Sequence, residues 1–169
     1  MRIFNTTLEG VKRIELPIFE DFRGEYIETW NRENYKVFDV EFQQDDISTS
    51  QKGTFRGIHG DQFTTKLVSC LVGRIWLVVL NAIEGHKEYG KWESFIISES
   101  NRQQILIPPK FANGHLALTD CMFHYKQNTL YGTEGSDQFT IKFNDPRFGI
   151  ELPFEPVTSE RDKPICLSR

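Results

Sequence analysis

The stretch KLVSCLVGRIWLVVLN, residues 66–81, consists of two apolar runs separated by a glycine at position 73. Both runs have the length of a strand and are rich in β-branched residues, which favour a pleated, buried conformation. The Val72–Gly73 pair between them has the chemistry of a tight turn. The stretch therefore predicts two consecutive strands joined by a turn.

The same pattern recurs along much of the chain, where turn residues such as Gly85 and the pair Pro108–Pro109 separate further apolar runs. These runs are ESFIIS (93–98), QQILIPP (103–109), GHLALTD (114–120), MFHYK (122–126) and QFTIKFND (138–145). One segment, TWNRENYKVF (29–38), has a helical pattern, with Asn31 as its N-cap. Many short strands and almost no helix predict an all-β fold, a double-stranded β-helix (jelly roll, cupin-like) with one or two short peripheral helices.

Length and charge narrow the functional classes. The chain has 169 residues and no low-complexity linker, which predicts a single domain over residues 1–169. Its formal net charge of −4 argues against general nucleic-acid binding, which needs a basic face. The N-terminal residues contain no apolar run long enough for a signal peptide or a membrane helix, so the cytoplasm is the expected location and no membrane partner is expected.

The segment GTFRGIHGD (53–61) places two polar side chains, Arg56 and His59, three positions apart in a predicted strand. Residues of a regular strand alternate between its two faces, so Arg56 and His59 would point to opposite sides. Both can face the interior of a barrel only if Gly57 or Gly60 permits a β-bulge. The spacing therefore points to a polar pocket beside a bulge.

Eight motifs occur in the order in which one enzyme family carries them, between about residue 17 and residue 164. They are FEDFRGEYIETWN, QQDDISTSQKGTFRGIHGD, KLVSCLVGRIW, EYGKW, ILIPPKFANGHLAL, FHYKQNTLY, KFNDP and TSERD. In this ordered set the chain resembles the RmlC-type nucleotide-sugar 3,5-epimerases. The resemblance implies a jelly roll that epimerises the carbons flanking a C4 ketone and needs neither a metal nor an organic cofactor. It also implies a homodimer, in which we expect an N-terminal arm (residues 1–16) to pair across the interface.

The resemblance also implies roles for individual residues. His59 matches the family's general base, and Asp162 matches the carboxylate that orients it. Tyr125 matches the acid on the opposite face of the sugar, and Lys66 matches the cation beside the enolate oxygen. The implied substrate-binding positions are Arg23 and Arg56 near the diphosphate, Tyr131 near the nucleotide, and Glu28 and Gln44 near the base.

Elementary chemistry explains why such residues are needed together. A proton next to a ketone becomes acidic only if the enolate charge is stabilised as it develops, so a cation belongs at the ketone oxygen. Inversion needs a base on one face of the sugar and a proton donor on the other. A histidine with a near-neutral pKa suits the role of base, and a carboxylate behind it holds the required tautomer.

The chain departs from the family pattern at several substrate-binding positions. Leu77 and Asn113 stand where the family usually has an aspartate and a histidine, and His115 stands where it usually has an aromatic residue. Asp46 replaces an asparagine near the base, and Asp61 replaces a glutamine. We assign Asp46, Asp61, Asn113 and His115 to substrate binding.

These departures resemble the capsular branch of the family, which acts on GDP-linked 4-keto heptoses. A carboxylate can accept hydrogen bonds from guanine N1–H and N2–H₂ together, and an ionised acceptor strengthens them. The sequence therefore predicts a GDP-4-keto-heptose epimerase of capsule or other surface polysaccharide synthesis. The alternative within the family is a dTDP-4-dehydrorhamnose 3,5-epimerase.

Two alternatives lie outside this chemistry. On a cupin-like barrel, His59, Asp61 and His115 could bind a divalent metal ion, although metal cupins generally present a His-x-His pair. The chain could also be a non-catalytic, lectin-like module that binds sugar nucleotides. Tyr125 and Asp162 argue against the second alternative, because a binding module needs no acid opposite a base.

Overall fold

Two antiparallel β-sheets face each other in the computed structural model, which describes residues 1–133 and 138–166. The larger sheet has six strands in the order β1-β2-β10-β7-β12-β5. Their bounds are Arg2–Asn5 (β1), Lys12–Glu15 (β2), Gln103–Ile107 (β10), Lys66–Val72 (β7), Cys121–Gln127 (β12) and Gln44–Ser50 (β5).

The smaller sheet has five strands in the order β13-β6-β11-β8-β9. Their bounds are Phe139–Thr140 (β13), Phe55–Gly60 (β6), Phe111–Ala117 (β11), Arg74–Asn81 (β8) and Trp92–Ser98 (β9). A separate hairpin is formed by β3 (Phe19–Asp21) and β4 (Gly24–Tyr26). The helical elements are α1 (Arg32–Tyr35) and two 3₁₀ turns, Lys36–Phe38 and Glu160–Asp162. This architecture confirms the predicted all-β double-stranded roll with short peripheral helices.

Apolar side chains are buried on both faces of each sheet, which explains why β8 is a nearly continuous apolar run. Between the sheets, Leu77 and Val79 of β8 pack with residues of the larger sheet such as Ile105. On the outer face of the smaller sheet, Trp76 and Val78 of the same strand pack against the segment that follows β13. The outer face of the larger sheet is covered by a third cluster, whose buried members are Ile14, Tyr35, Leu67 and Leu106.

The element boundaries differ from the predicted ones where local pattern is weak. The N-terminal arm forms β1 and β2, which join the larger sheet through β10 and leave β1 at its edge, so pairing of the arm across an interface stays a prediction. The run predicted over 138–145 contains only the two-residue strand β13, and the predicted helix over 29–38 shortens to α1 and a 3₁₀ turn. Asn31 caps α1 as predicted, since its side chain accepts a hydrogen bond from the Asn34 amide. None of the helices among residues 1–133 and 138–166 has the length and apolar character needed to cross a membrane.

Candidate active site

A cavity of about 380 Å³ lies between the two sheets. Strands β6 and β11 of the smaller sheet supply one side, which we call the histidine wall, formed by Arg56, His59, Asn113 and His115. Strands β5, β7 and β12 of the larger sheet supply the other side, which we call the tyrosine wall, formed by Ser48, Lys66, Val68, Phe123, Tyr125 and Gln127. Residues outside the two large sheets complete the lining, namely Tyr131, Gln138, Ser159, Arg161 and Asp162.

A β-bulge in β6 brings Arg56 and His59 to the same cavity. His59 is paired with Asn113 and Arg56 with His115, so two residues of β6 stand opposite one residue of β11. Phe55, which precedes Arg56, and Ile58, which precedes His59, both pack on the outer face of the sheet. The conditional prediction of a bulge in this segment is therefore confirmed, and the bulge resets the alternation between Arg56 and His59.

The bulge requires glycine at position 57. Gly57 has a φ of +128°, a region that L-residues with a side chain rarely adopt. A Cβ atom placed there would lie 2.4 Å from the Cα of Gly114 on the neighbouring strand. The amide of Gly57 also donates a hydrogen bond to Asp162 Oδ2 over 3.2 Å. The same glycine thus shapes the strand and helps to hold the carboxylate behind His59.

His59 and Asp162 form a direct pair, with 2.7 Å between His59 Nε2 and Asp162 Oδ1. Asp162 is buried, whereas the side chain of His59 retains 20% of its exposure toward the cavity. If Nε2–H donates to the carboxylate, Nδ1 keeps its lone pair available as a base. Burial lowers the pKa of His59 below the ordinary value of 6.5, while Asp162 partly opposes this shift. The imidazole is therefore neutral near pH 7 and able to accept a proton.

Lys66 supplies a buried ammonium group to the tyrosine wall. Its Nζ donates a hydrogen bond to Asn113 Oδ1 over 3.3 Å, which links the two walls. Burial lowers the pKa of Lys66 below its ordinary value, and the negative charge of Asp61 only partly opposes this shift. A cation held in a desolvated cavity interacts strongly with any negative charge that develops beside it.

Tyr125 projects from β12 on the side of the cavity opposite to His59. It is paired across the strands with Asp46 of β5, so both residues share the inner face of the larger sheet. Burial raises the pKa of Tyr125, and the nearby groups Asp46 and Tyr131 raise it further. The phenol therefore keeps its proton at neutral pH and can act as a donor.

Polar residues lie beside the cavity at both ends of β5. Arg56 is held by hydrogen bonds from its guanidinium to Ser50 Oγ (3.0 Å) and to a backbone carbonyl. Tyr131, with 69% of its surface exposed, donates its backbone N–H to Gln44 Oε1 over 2.8 Å. Asp46 Oδ2 accepts hydrogen bonds from the Gln44 and Gln127 amides. Gln44 and Asp46 thus lie beside lining residues without being lining residues themselves.

Three residues predicted to bind substrate are engaged elsewhere in the chain. Arg23 lies in the exposed β3–β4 hairpin and pairs with Asp21 over 2.6 Å. Glu28 accepts hydrogen bonds from Asn31 and Asn34 beside α1.

Asp61, the third, is buried, and its Oδ1 accepts the backbone N–H groups of Phe63 and Thr64. Asp61 thus closes a turn and does not line the cavity, and its assignment to substrate binding stays a prediction. No group of three or more potential metal ligands occurs among the described residues.

Sequence reasoning missed several lining residues, of which Arg161 is the most consequential. It lies next to Asp162 in the TSERD motif, donates hydrogen bonds to Gln138 and Thr140, and adds a second guanidinium to the cavity. Ser48 could have been found from the alternation of Gln44, Asp46 and Ser48 along β5. Arg161 had no such local signal, because the 3₁₀ turn that carries it is placed by tertiary contacts.

A family model described as dTDP-4-dehydrorhamnose 3,5-epimerase matches residues 5–167. The chain belongs to this family. A dTDP-4-dehydrorhamnose 3,5-epimerase of Methanothermobacter thermautotrophicus is 35% identical over 171 residues, which cover 96% of this chain and 91% of that protein. The family resemblance inferred from the ordered motifs is thus confirmed.

Solved structures of the family have the same fold. The epimerase of Legionella pneumophila, in complex with dTDP-4-keto-L-rhamnose, superposes with a TM-score of 0.89 at 34% identity and covers 95% of this chain and 89% of its own. A 3′-monoepimerase of Streptomyces bikiniensis, in complex with dTDP-quinovose, superposes with a TM-score of 0.86 at 25% identity. The match covers 93% of this chain and 83% of that protein's chain. The fold therefore accommodates both a 3,5-epimerase and a monoepimerase.

Proposed function

We propose that the protein epimerises a nucleotide-linked 4-keto sugar at one or both carbons next to the ketone. The observation that carries this proposal is the arrangement of His59 and Tyr125 on opposite walls of one cavity, with the Lys66 ammonium in the same lining. An inversion needs this arrangement, because the proton leaves one face of the carbon and another proton arrives at the opposite face.

The proposed reaction balances with these three groups. His59 Nδ1 takes the proton from the carbon next to the ketone, and the electron pair of the broken C–H bond moves onto the ketone oxygen. Lys66 stabilises the enolate oxygen while the charge is present. The phenol of Tyr125 then transfers its proton to the opposite face as the enolate collapses. Exchange with solvent returns His59 to its neutral form and Tyr125 to its protonated form.

A dTDP-linked 4-keto-6-deoxyhexose is the substrate class that the relatives support. The family model and the relatives described above are named for dTDP-linked sugars or solved with them. The engagement of Glu28 with Asn31 and Asn34 further weakens the case for a base pocket rich in free carboxylates. We therefore replace the GDP-heptose prediction with the dTDP-sugar alternative as the main proposal.

One observation still favours a GDP-linked sugar as the second candidate. Asp46 places a carboxylate beside Gln44 and Gln127, and its hydrogen bonds to these two amides use only Oδ2. Its other oxygen is available to a donor such as guanine N1–H. Calorimetry with dTDP and GDP separates the two candidates, and we expect dTDP to bind at least tenfold more tightly, about 1.4 kcal/mol. Tighter binding of GDP would restore the GDP-4-keto-heptose assignment.

The reaction itself is tested by incubating dTDP- and GDP-linked 4-keto sugars with the protein in D₂O. NMR should show deuterium entering at C3, C5 or both, together with inverted product. Exchange at C3 alone would identify a monoepimerase, and exchange at both carbons a 3,5-epimerase. A protein that exchanges neither position in any of these sugars contradicts the proposal. The expectation that the reaction needs no metal is tested by exhaustive treatment with EDTA, which should leave the activity unchanged.

We also propose a homodimer in which Arg23 of one copy reaches the cavity of the other. Arg23 matches a diphosphate-binding arginine of the family, yet in its own chain it lies in the β3–β4 hairpin, outside the cavity lining. That hairpin exposes three aromatic side chains, Phe19 (60%), Phe22 (98%) and Tyr26 (66%). Contiguous exposed apolar groups of this kind mark an interaction surface.

Mixing two inactive variants tests this assembly. Arg23→Ala and His59→Asn, mixed and allowed to exchange subunits, should recover activity, because one cavity of the mixed dimer then contains both native residues. Failure of the mixture to recover activity, or a monomeric mass by light scattering at micromolar concentration, would contradict the proposal.

A further inference from the structure

His115 is a buried histidine in the cavity lining that the proposed proton transfers do not use. Only 3% of its surface is exposed, and its ring stacks on Phe123 with 4.3 Å between the ring centroids. Its Nε2 is buried and has no hydrogen-bond partner among the described residues. A buried polar nitrogen without a partner is costly, by an amount comparable to a lost hydrogen bond. The cavity thus contains a hydrogen-bonding group whose partner the described protein residues do not supply.

The charge state of His115 determines which chemistry it can recognise. Burial lowers the pKa of His115 to about 3, and the positive charge of Arg56, together with that of His59 once it is protonated, acts in the same direction. The ring is therefore neutral throughout the physiological range, with one nitrogen as donor and the other as acceptor. A neutral imidazole suits a hydroxyl group, whereas the Arg56 guanidinium in the same lining suits the diphosphate.

The position of His115 along β11 indicates which hydroxyl it meets. Asn113, which accepts the hydrogen bond of Lys66, lies two residues earlier on the same strand, or about 7 Å away. Arg56 is the cross-strand partner of His115. If the ketone oxygen lies at Lys66 and the diphosphate at Arg56, His115 lies on the diphosphate side of the ketone. Between C4 and the phosphate-bearing C1, the ring hydroxyl that does not belong to a reacting carbon is the one at C2.

We propose that His115 forms a hydrogen bond with the C2 hydroxyl of the sugar ring and thereby selects 2-hydroxylated over 2-deoxy substrates. This inference rests on the proposed epimerase function and deepens it by naming a specificity determinant. The aromatic residue that the family usually has at this position could stack in the same place but could not form this hydrogen bond. A site built around a hydroxyl rejects the analogue that lacks it, because the site's own polar group stays unpaired.

A comparison of two substrates with the wild-type protein gives the first test and needs no mutation. The probes are the 4-keto-6-deoxyhexose linked to whichever nucleotide calorimetry selects, and its 2-deoxy counterpart. We expect kcat/KM for the 2-deoxy sugar to be lower by at least about tenfold. Equal kcat/KM values for the two sugars overturn the inference. If the protein turns over neither sugar, the proposed function is overturned, and the inference with it. The two failures are therefore distinguishable.

Substitution of His115 gives the second test. His115→Phe should lower kcat/KM for the 2-hydroxylated sugar by about tenfold and leave the 2-deoxy sugar nearly unchanged, which abolishes the discrimination. His115→Gln retains a hydrogen-bond donor and an acceptor and should restore part of the discrimination between the two sugars. His86→Phe, which makes the same substitution in a turn outside the cavity lining, is the matched control and should discriminate like the wild type. Undiminished discrimination by His115→Phe overturns the inference, as does an equal loss of activity on both sugars.

Discussion

The two walls of the cavity place their polar side chains in different ways. On the tyrosine wall, Phe123, Tyr125 and Gln127 follow the regular two-residue alternation of β12. On the histidine wall, Arg56 and His59 reach the cavity only because a bulge at Gly57 interrupts the alternation of β6. The regular wall carries the proposed acid, and the irregular wall carries the proposed base. Four variants or measurements test this contrast, in decreasing order of expected effect.

The largest effect should come from His59, on the histidine wall. His59→Asn should lower both deuterium uptake and epimerisation by about 10²–10⁴-fold, since the variant has no base to remove the proton. NMR in D₂O measures both reactions at once, and circular dichroism checks that the fold is retained. A wild-type rate of deuterium exchange in a folded His59→Asn protein would show that His59 is not the base.

Tyr125→Phe should differ from His59→Asn in which reaction it impairs. The variant keeps the base, so deuterium should still exchange at the first carbon, while inversion should fall by about 10²-fold because the phenolic donor is lost. The ratio of exchange to product formation is the decisive quantity. Full epimerisation by Tyr125→Phe would show that water or another group donates the proton.

The bulge itself is tested by Gly57→Ala, with Gly24→Ala as a matched control. Both glycines have a φ near +125°, but no described atom lies within 4 Å of a Cβ placed at Gly24, whereas one at Gly57 collides with Gly114. Backbone strain alone costs about 1–3 kcal/mol of unfolding free energy in either variant. Urea unfolding should therefore show a larger loss for Gly57→Ala. Equal losses would mean that close packing against Gly114 does not define the bulge.

The smallest effect is a shift in the pH profile. Burial lowers the pKa of His59, so the base is already deprotonated at neutral pH and is lost only when the pH falls through this lowered pKa. The acidic limb of kcat/KM should therefore have its midpoint below the ordinary histidine value of about 6.5. A midpoint above that value would show that the interaction with Asp162 outweighs desolvation.

Much of the tyrosine wall and of the sheet core was determined by the sequence alone. Strands such as β7, β8 and β9 are short apolar runs bounded by turn residues, and their hydrophobic pattern is a local property. Alternation along β12 likewise separates Tyr125 from His124, whose Nε2 pairs with Asp45 rather than lining the cavity. The catalytic assignments came from ordered motifs, and the structure brings all four of those side chains to one cavity.

The tertiary structure decided what depends on contacts between distant parts of the chain. Asp162 meets His59 across 103 positions of sequence, and at the bulge Gly57 of β6 approaches Gly114 of β11 too closely to admit a side chain. Asp61 shows the reverse case, since its carboxylate looked fully available in the sequence, yet its Oδ1 accepts two backbone N–H groups and closes a turn. The physical reason is the same in each case. Alternation and turn chemistry act within a few residues, whereas strand register and the partner of a buried charge are set by the packing of the whole fold.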